Sequence, residues 1–252
     1  MLGFLALRFL LASAVLTPFL LPRLTRRTLF VGLAIGLTLA MGYLFQTWGL
    51  LYTTPTNSGL ITGLFVVFAP LTAWLLFKVR IPPIAKGAIV LSLAGMVLLA
   101  GQSASLGRVG DVLTVVCAAG LGAHIALLSR YAPEHDAGAL AFAQMIGMAG
   151  LFSVMWAVSP GPITAPPAEV WFAIVLTGIV ASAGAFYVQT IVQQRISAAR
   201  AAVILTMEPV FATFFGFWLA GDRLSPVQLV GAALILSALL VGELIPVLRR
   251  GK

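Results

Sequence analysis

Charge is what this sequence has least of. Seven acidic and fifteen basic side chains make up 9% of its 252 residues, where a soluble domain carries roughly 25%. Hydrophobic residues reach 61% and the mean hydropathy is +1.08, well beyond the roughly 45–50% apolar content of a soluble domain. No water-exposed globule can hide that much hydrocarbon, so the chain belongs in a membrane. A single cysteine, Cys117, excludes a disulfide frame or a thiolate cluster within one chain. Two histidines and no Cys/His/Asp motif offer no converging ligand set, and neither a metal nor another cofactor is expected. The absence of a Walker motif removes ATP drive from this chain. Lack of a TVGYG-like filter or a ring of charges argues against an ion channel. Lack of HExxH, GxSxG or paired intramembrane aspartates argues against an intramembrane enzyme. The connections are too short for a binding or sensory domain. The net charge of +8 comes without a basic helix or aromatic-basic interleaving, so no nucleic-acid partner is expected.

A hydrocarbon layer about 30 Å thick takes roughly 20 apolar residues per helix. Cutting the chain at charges, prolines and polar clusters gives about nine spans: Leu2 to Leu21, Leu29 to Tyr52, Asn57 to Phe77, Ile84 to Gly101, Asp111 to Arg130, Ala137 to Val158, Ala168 to Gln189, Ala201 to Ala220 and Pro226 to Ile245. Twelve of the fifteen basic residues fall in alternate connections: Arg23, Arg26 and Arg27, then Lys78, Arg80 and Lys86, then Arg130, then Arg195 and Arg200, then Arg249, Arg250 and Lys252. The remaining connections carry only Arg108 and Arg223. Positive charge marks the cytoplasmic side, which predicts a multi-pass protein of a bacterial inner (plasma) membrane with its C-terminus in the cytoplasm.

An odd number of spans puts the N-terminus outside. The first span has no leading positive charge and a strongly basic trailing loop, as a helix that follows another would have. A further span upstream of Met1 is therefore expected, with a natural nine-span chain as the alternative. Ala12-Ser13-Ala14 has the form of a signal-peptidase site, but no basic region precedes it and the apolar run continues to Leu21.

The chain also repeats itself faintly. Asn57 to Gly101 and Ala198 to Glu243 each read as a helix with an internal proline, a tight connection and a second helix rich in small residues. Pro209 stands where Pro70 stands, and Gly231-Ala232 where Gly87-Ala88 stands. By the charge pattern the first proline helix runs inward and the second outward. Inverted repeats are a plan of secondary transporters, with the substrate site near the midplane and alternating access.

Several stretches resemble the EamA-type members of the drug/metabolite transporter superfamily. They are Arg8 to Ala12 (RFLLA), Gly49 to Thr53 (GLLYT), Gly63 to Pro70 (GLFVVFAP) and, above all, Tyr187 to Leu224 with Glu208-Pro209 at its centre. The resemblance implies an all-α membrane protein of two inverted five-helix repeats around a central cavity. Residues 1–101 would be the first repeat, in four spans without its first helix, and 102–252 the second, in five. Asp222 stands where the family usually has Glu. The implied activity is export or exchange of small metabolites.

Polar groups within spans are functional candidates by default, because a carboxylate at the bilayer centre costs about 2.5–3.5 kcal/mol. Glu208 is the foremost, read either as a binder of a cationic substrate group or proton carrier, or as a protonated carboxyl bonding across helices. His124 reads as a helix-helix hydrogen bond or as a cavity residue. Tyr43 and Gln46 share a helix face, as do Tyr187, Thr190 and Gln194, while Gln189 and Gln193 lie in the same inner half-span. These uncharged groups suit a wet cavity for a zwitterionic or amphipathic solute, or else ordinary interhelical bonding. Asn57 starts its span and is read as a cap or a ligand. Arg8 is read as snorkelling to the outer interface. Trp48, Trp74, Trp171 and Trp218 read as interfacial anchors, and Gly32 with Gly36 and Gly59 with Gly63 as packing pairs.

The expected function is a secondary transporter, an exporter, of small organic metabolites such as amino acids or related compounds, acting by alternating access around a central cavity. A flippase for a lipid or lipid carrier is the alternative, and an intramembrane enzyme stands behind both. The partners are a small-molecule substrate and the lipid bilayer, and a homodimer is left open. Engineered cysteines in the Lys78 and Arg195 turns should be labelled from the same side of the membrane. Labelling from opposite sides would dismantle the topology.

Overall fold

Hydrocarbon offers a backbone N–H or C=O no water to bond, so a chain of this composition must satisfy those groups internally, as helices do. The computed structural model describes residues 1–100, 109–159, 167–215, 218 and 225–250. Gly101, Ala220, Lys252, Arg108, Asp222 and Arg223 lie outside the described residues. Among the described residues there is no strand. The helices are α1 (Leu2–Leu20), α2 (Arg26–Gly49), α3 (Pro55–Thr62), α4 (Phe65–Phe77), α5 (Pro83–Ala100), α6 (Val109–Tyr131), α7 (Ala137–Ala157), α8 (Ala168–Leu176), α9 (Ala185–Gln193), α10 (Ala198–Leu205), α11 (Met207–Phe215) and α12 (Pro226–Arg250). A π-helical stretch, Thr177–Gly184, joins α8 to α9.

Among the described residues six spans are long and apolar enough to cross a membrane, and the helices over Pro83–Leu99 and Pro226–Gly242 are apolar but shorter. Counted along the described residues, with α3 and α4, α8 and α9, and α10 and α11 each taken as one interrupted span, the helices make nine. The sequence pattern predicts these three spans as single helices, and the structure interrupts each of them.

Local chemistry sets the helix starts. Thr25 caps α2, its Oγ1 accepting from the Thr28 N–H at 3.1 Å, which starts the helix earlier than its apolar run. Asp136 caps α7 through the Ala139 N–H at 2.8 Å. Ser225 and Gln228 form a reciprocal capping box on α12, with Pro226 at its first turn.

The chain packs as two compact units, residues 1–41 with 127–196 and residues 42–126 with 197–252. In the first unit α1 runs antiparallel along α7. Gly3 lies against Trp156, Phe9 stacks on Phe152 with ring centroids 5.8 Å apart, and Leu20 lies against Gly138. Gly32 and Gly36 of α2 press onto Leu140, Ala143 and Gln144 of α7, the close approach such pairs allow. Ile35, Leu128, Ala132 and Leu140 are buried together beside them.

In the second unit Gly49 of α2 meets Gly110 and Thr114 of α6, and Gly122 of α6 meets Phe68 and Ala69 of α4. Gly63 admits the Met96 sulfur, whereas the space beside Gly59 is open. A close backbone crossing joins α5 to α12. A Cβ on Gly95 would lie 2.7 Å from the Gly231 carbonyl oxygen, and one on Gly231 would lie 2.5 Å from the Leu99 nitrogen.

Both obstacles at that crossing are backbone, so neither can move aside. Gly95→Ala and Gly231→Ala should each cost about 1–3 kcal/mol, read as lower melting temperatures in detergent. Gly87→Ala, with nothing within 4 Å, should be neutral or slightly stabilising.

Candidate functional site

The polar candidates divide between the two units. In the second, the span containing Pro70 breaks after Thr62. The Leu64 N–H turns to Ile61 O at 3.0 Å and the Val66 N–H to Gly63 O at 3.1 Å, a tightening to i→i+3 bonds. Three side chains gather at this break: Gln46 Nε2 donates to Thr62 Oγ1 at 3.4 Å, and Thr62 Oγ1 lies 4.0 Å from Cys117 Sγ. Tyr43, one turn before Gln46 on α2, is partly buried.

The span containing Pro209 breaks at Thr206. The Thr206 N–H bonds to the carbonyls of Ala202 and Val203, both at 3.2 Å, and its hydroxyl donates to Val203 O at 2.6 Å. Pro209 has no N–H, which denies Leu205 its intrahelical donor. Glu208 stands in the first turn of α11, directly after this interruption, and is exposed. His124 is buried at 1% exposure, two residues from the crossing of α6 with α4. Asn57 falls in α3, its side chain outside the described residues.

In the first unit the glutamines in and just after α9 are hydrogen-bonded. Gln189 Nε2 donates to Gln193 Oε1 at 3.0 Å, and Gln193 Nε2 donates to Ser129 Oγ at 2.8 Å. Gln194 Nε2 donates to the carbonyls of Ala132 at 3.2 Å and His135 at 2.9 Å. Tyr187 is partly buried and lies beside Gly138. The structure thus gathers Gln46 with Thr62 and Cys117, gives Gln189 a partner on its own helix, and sets Glu208 on a separate broken span.

Three features escape the sequence pattern. Arg8, read as reaching outward, instead donates from Nε to Ser182 Oγ at 2.7 Å. Ser182 is fully buried and lies in the π-helical stretch. Gly178, four residues earlier, brings that stretch against the Arg8 backbone, where a Cβ would lie 3.0 Å from its carbonyl oxygen. The small pair Gly178 and Ser182 is the signal that could have found this partner. The second feature is the buried Asp111, whose Oδ1 accepts from Thr53 Oγ1 at 2.5 Å. The third is the double break itself, for which proline was the visible sign. No group of three His, Cys, Asp or Glu residues could hold a metal ion among the described residues.

The sequence profile of the EamA-like transporter family matches residues 1–101 and 108–242. The chain belongs to the EamA-like transporter family. It is therefore a multi-pass membrane protein of transport, built from two EamA repeats in a lipid bilayer and acting on a small molecule. An uncharacterized transporter of Archaeoglobus fulgidus is 35% identical over 213 residues, 84% of this chain and 68% of that protein. A second uncharacterized transporter of the same organism is 28% identical over 197 residues, 75% of this chain and 66% of its own length. The chain thus spans about two thirds of each of these relatives. A crystal structure 23% identical in sequence superposes with a TM-score of 0.82, over 97% of this chain and 87% of the other, which shows a shared fold.

Ser182→Ala removes a hydrogen bond to a charged group inside a span. It should destabilise the transporter by about 1–2 kcal/mol, measured as a lower denaturation midpoint in detergent.

Proposed function

We propose that this EamA-family transporter is a secondary carrier that exports small organic metabolites, amino acids or related compounds, by alternating access around a central cavity. Its setting in this reading is a bacterial inner membrane with the C-terminus in the cytoplasm. The observation that carries the proposal is the exposure of Glu208 beside the interruption at Thr206. A carboxylate facing hydrocarbon at mid-span costs about 2.5–3.5 kcal/mol, whereas one facing a wet hollow keeps its hydration. Interrupted helices are where transporters of inverted-repeat design place substrate and coupling ions, and the second unit contains two.

In this mechanism Glu208 takes a cationic group of the solute or a proton. Gln46 and Tyr43 on α2, with Asn57 on α3, supply neutral hydrogen bonds near the other interruption. His124 on α6 is a further candidate of the second unit, and Tyr187 and Gln189 on α9 are the candidates of the first. Release of a proton from Glu208 as solute binds would couple export to the proton gradient, since one carboxylate cannot hold both at once.

Full-length protein in proteoliposomes, loaded with radiolabelled amino acids, tests the proposal. Glu208→Gln is expected to slow efflux at least tenfold and to flatten its pH dependence. Unaltered rate and pH dependence in that variant would remove Glu208 from the mechanism. Movement of fluorescent lipid without solute efflux would favour lipid translocation instead.

A further inference from the structure

The basic connection between α1 and α2, the turn between α6 and α7, and the end of α9 are fastened together in the first unit by polar side chains. His135, in the α6–α7 turn, is the hub. Its N–H bonds to Ala132 O at 3.2 Å, its carbonyl oxygen accepts from Gln194 Nε2 at 2.9 Å, and its Nδ1 lies 3.0 Å from Thr28 Oγ1. Thr28 Oγ1 in turn lies 2.9 Å from Thr25 Oγ1. The other ring nitrogen, Nε2, is buried with no hydrogen-bond partner among the described residues.

That arrangement has one economical protonation state. With the proton on Nδ1, a directed chain runs from His135 to the Thr28 hydroxyl and on to Thr25. Nε2 is then a bare lone pair, the milder kind of unmet polar group. Protonating Nε2 would bury a charged donor without an acceptor. The charges acting on the ring are Arg27 at the start of α2 and Glu134 in the turn itself, and the other charged residues of the same segments are Arg23, Arg26, Arg130, Asp136 and Arg195. Glu134 is already shared by Arg27 at 2.8 Å and Arg130 at 2.6 Å, and Asp136 faces Arg23 at 3.9 Å. The end of α9 presents the uncharged amide of Gln194.

We propose that His135 is an acid-released latch, which holds the α1–α2 connection and the end of α9 to the α6–α7 turn when neutral and frees them when protonated. Burial first, and then the charge of Arg27, keep the imidazole below its ordinary value near 6.5, against the pull of Glu134. A histidine depressed on folding contributes stability that is fully present above its unfolded value and is lost as pH falls through its native value. The latch therefore opens on the acid side of 6.5. This inference does not depend on what the transporter carries.

The test uses the full chain with Cys117→Ser and a single probe thiol, either Ala132→Cys at the buried centre of the turn or Pro133→Cys at its exposed face. The ratio of their maleimide labelling rates cancels the thiols' own pH dependence. That ratio should rise at least fivefold between pH 7.5 and pH 5, and should stay within twofold when His135→Gln is added. Arg27→Gln should shift the midpoint to higher pH and Glu134→Gln to lower pH; both break the Arg27–Glu134 ion pair, so the opposite signs of the shifts are what identify the ring. A ratio flat in the parent, a rise that survives His135→Gln, or shifts of the same sign in the two neighbours would overturn the latch.

Discussion

Every feature of this transporter answers to the absence of water around its backbone. In hydrocarbon an unmet N–H or C=O costs several kcal/mol, so regular helix is the default and each departure from it needs a local remedy. The three departures found here each have one. At Leu64 the bonds tighten to i→i+3. At Thr206 the side-chain hydroxyl meets the Val203 carbonyl. Between Thr177 and Gly184 the helix widens to π winding, and the Thr177 hydroxyl meets the Ala173 carbonyl at 2.7 Å.

Dispersion and small residues hold the helices together, since lipid tails are as apolar as leucine and give no hydrophobic drive between spans. Gly95 with Gly231, Gly36 with Gln144, and Gly178 with Arg8 are all contacts where a side chain has been given up so that backbones can touch. Long-range polar bonds such as Arg8 to Ser182 and Gln193 to Ser129 then fix which helices pair.

The class, the apolar spans and the kinship to the EamA-like family were legible in the residues, because hydropathy and its interruptions by charge follow directly from the bilayer's thickness and dielectric. The interruptions inside spans were not. Pro70 and Pro209 announce missing donors, yet the breaks fall at Leu64 and Thr206, six and three residues earlier, since the chain yields where neighbouring turns can be remade. Arg8 was legible as an oddity but its partner was not, because Ser182 lies 174 residues away and only packing brings it near. Among the candidates the amides were the hardest to assign. The same glutamine that suits a wet hollow suits a neighbouring helix equally well, and Gln193 has chosen the helix.

The π-helical stretch has a geometric consequence for its whole span. Each residue of an α-helix advances about 100° around the axis, and the wider winding between Thr177 and Gly184 advances less. The angular phase of α9 is thereby offset from that of α8, so one stripe drawn along both would drift out of alignment. Deleting one residue inside the stretch would shift that phase and rotate Tyr187 away from Gly138 and Gln193 away from Ser129.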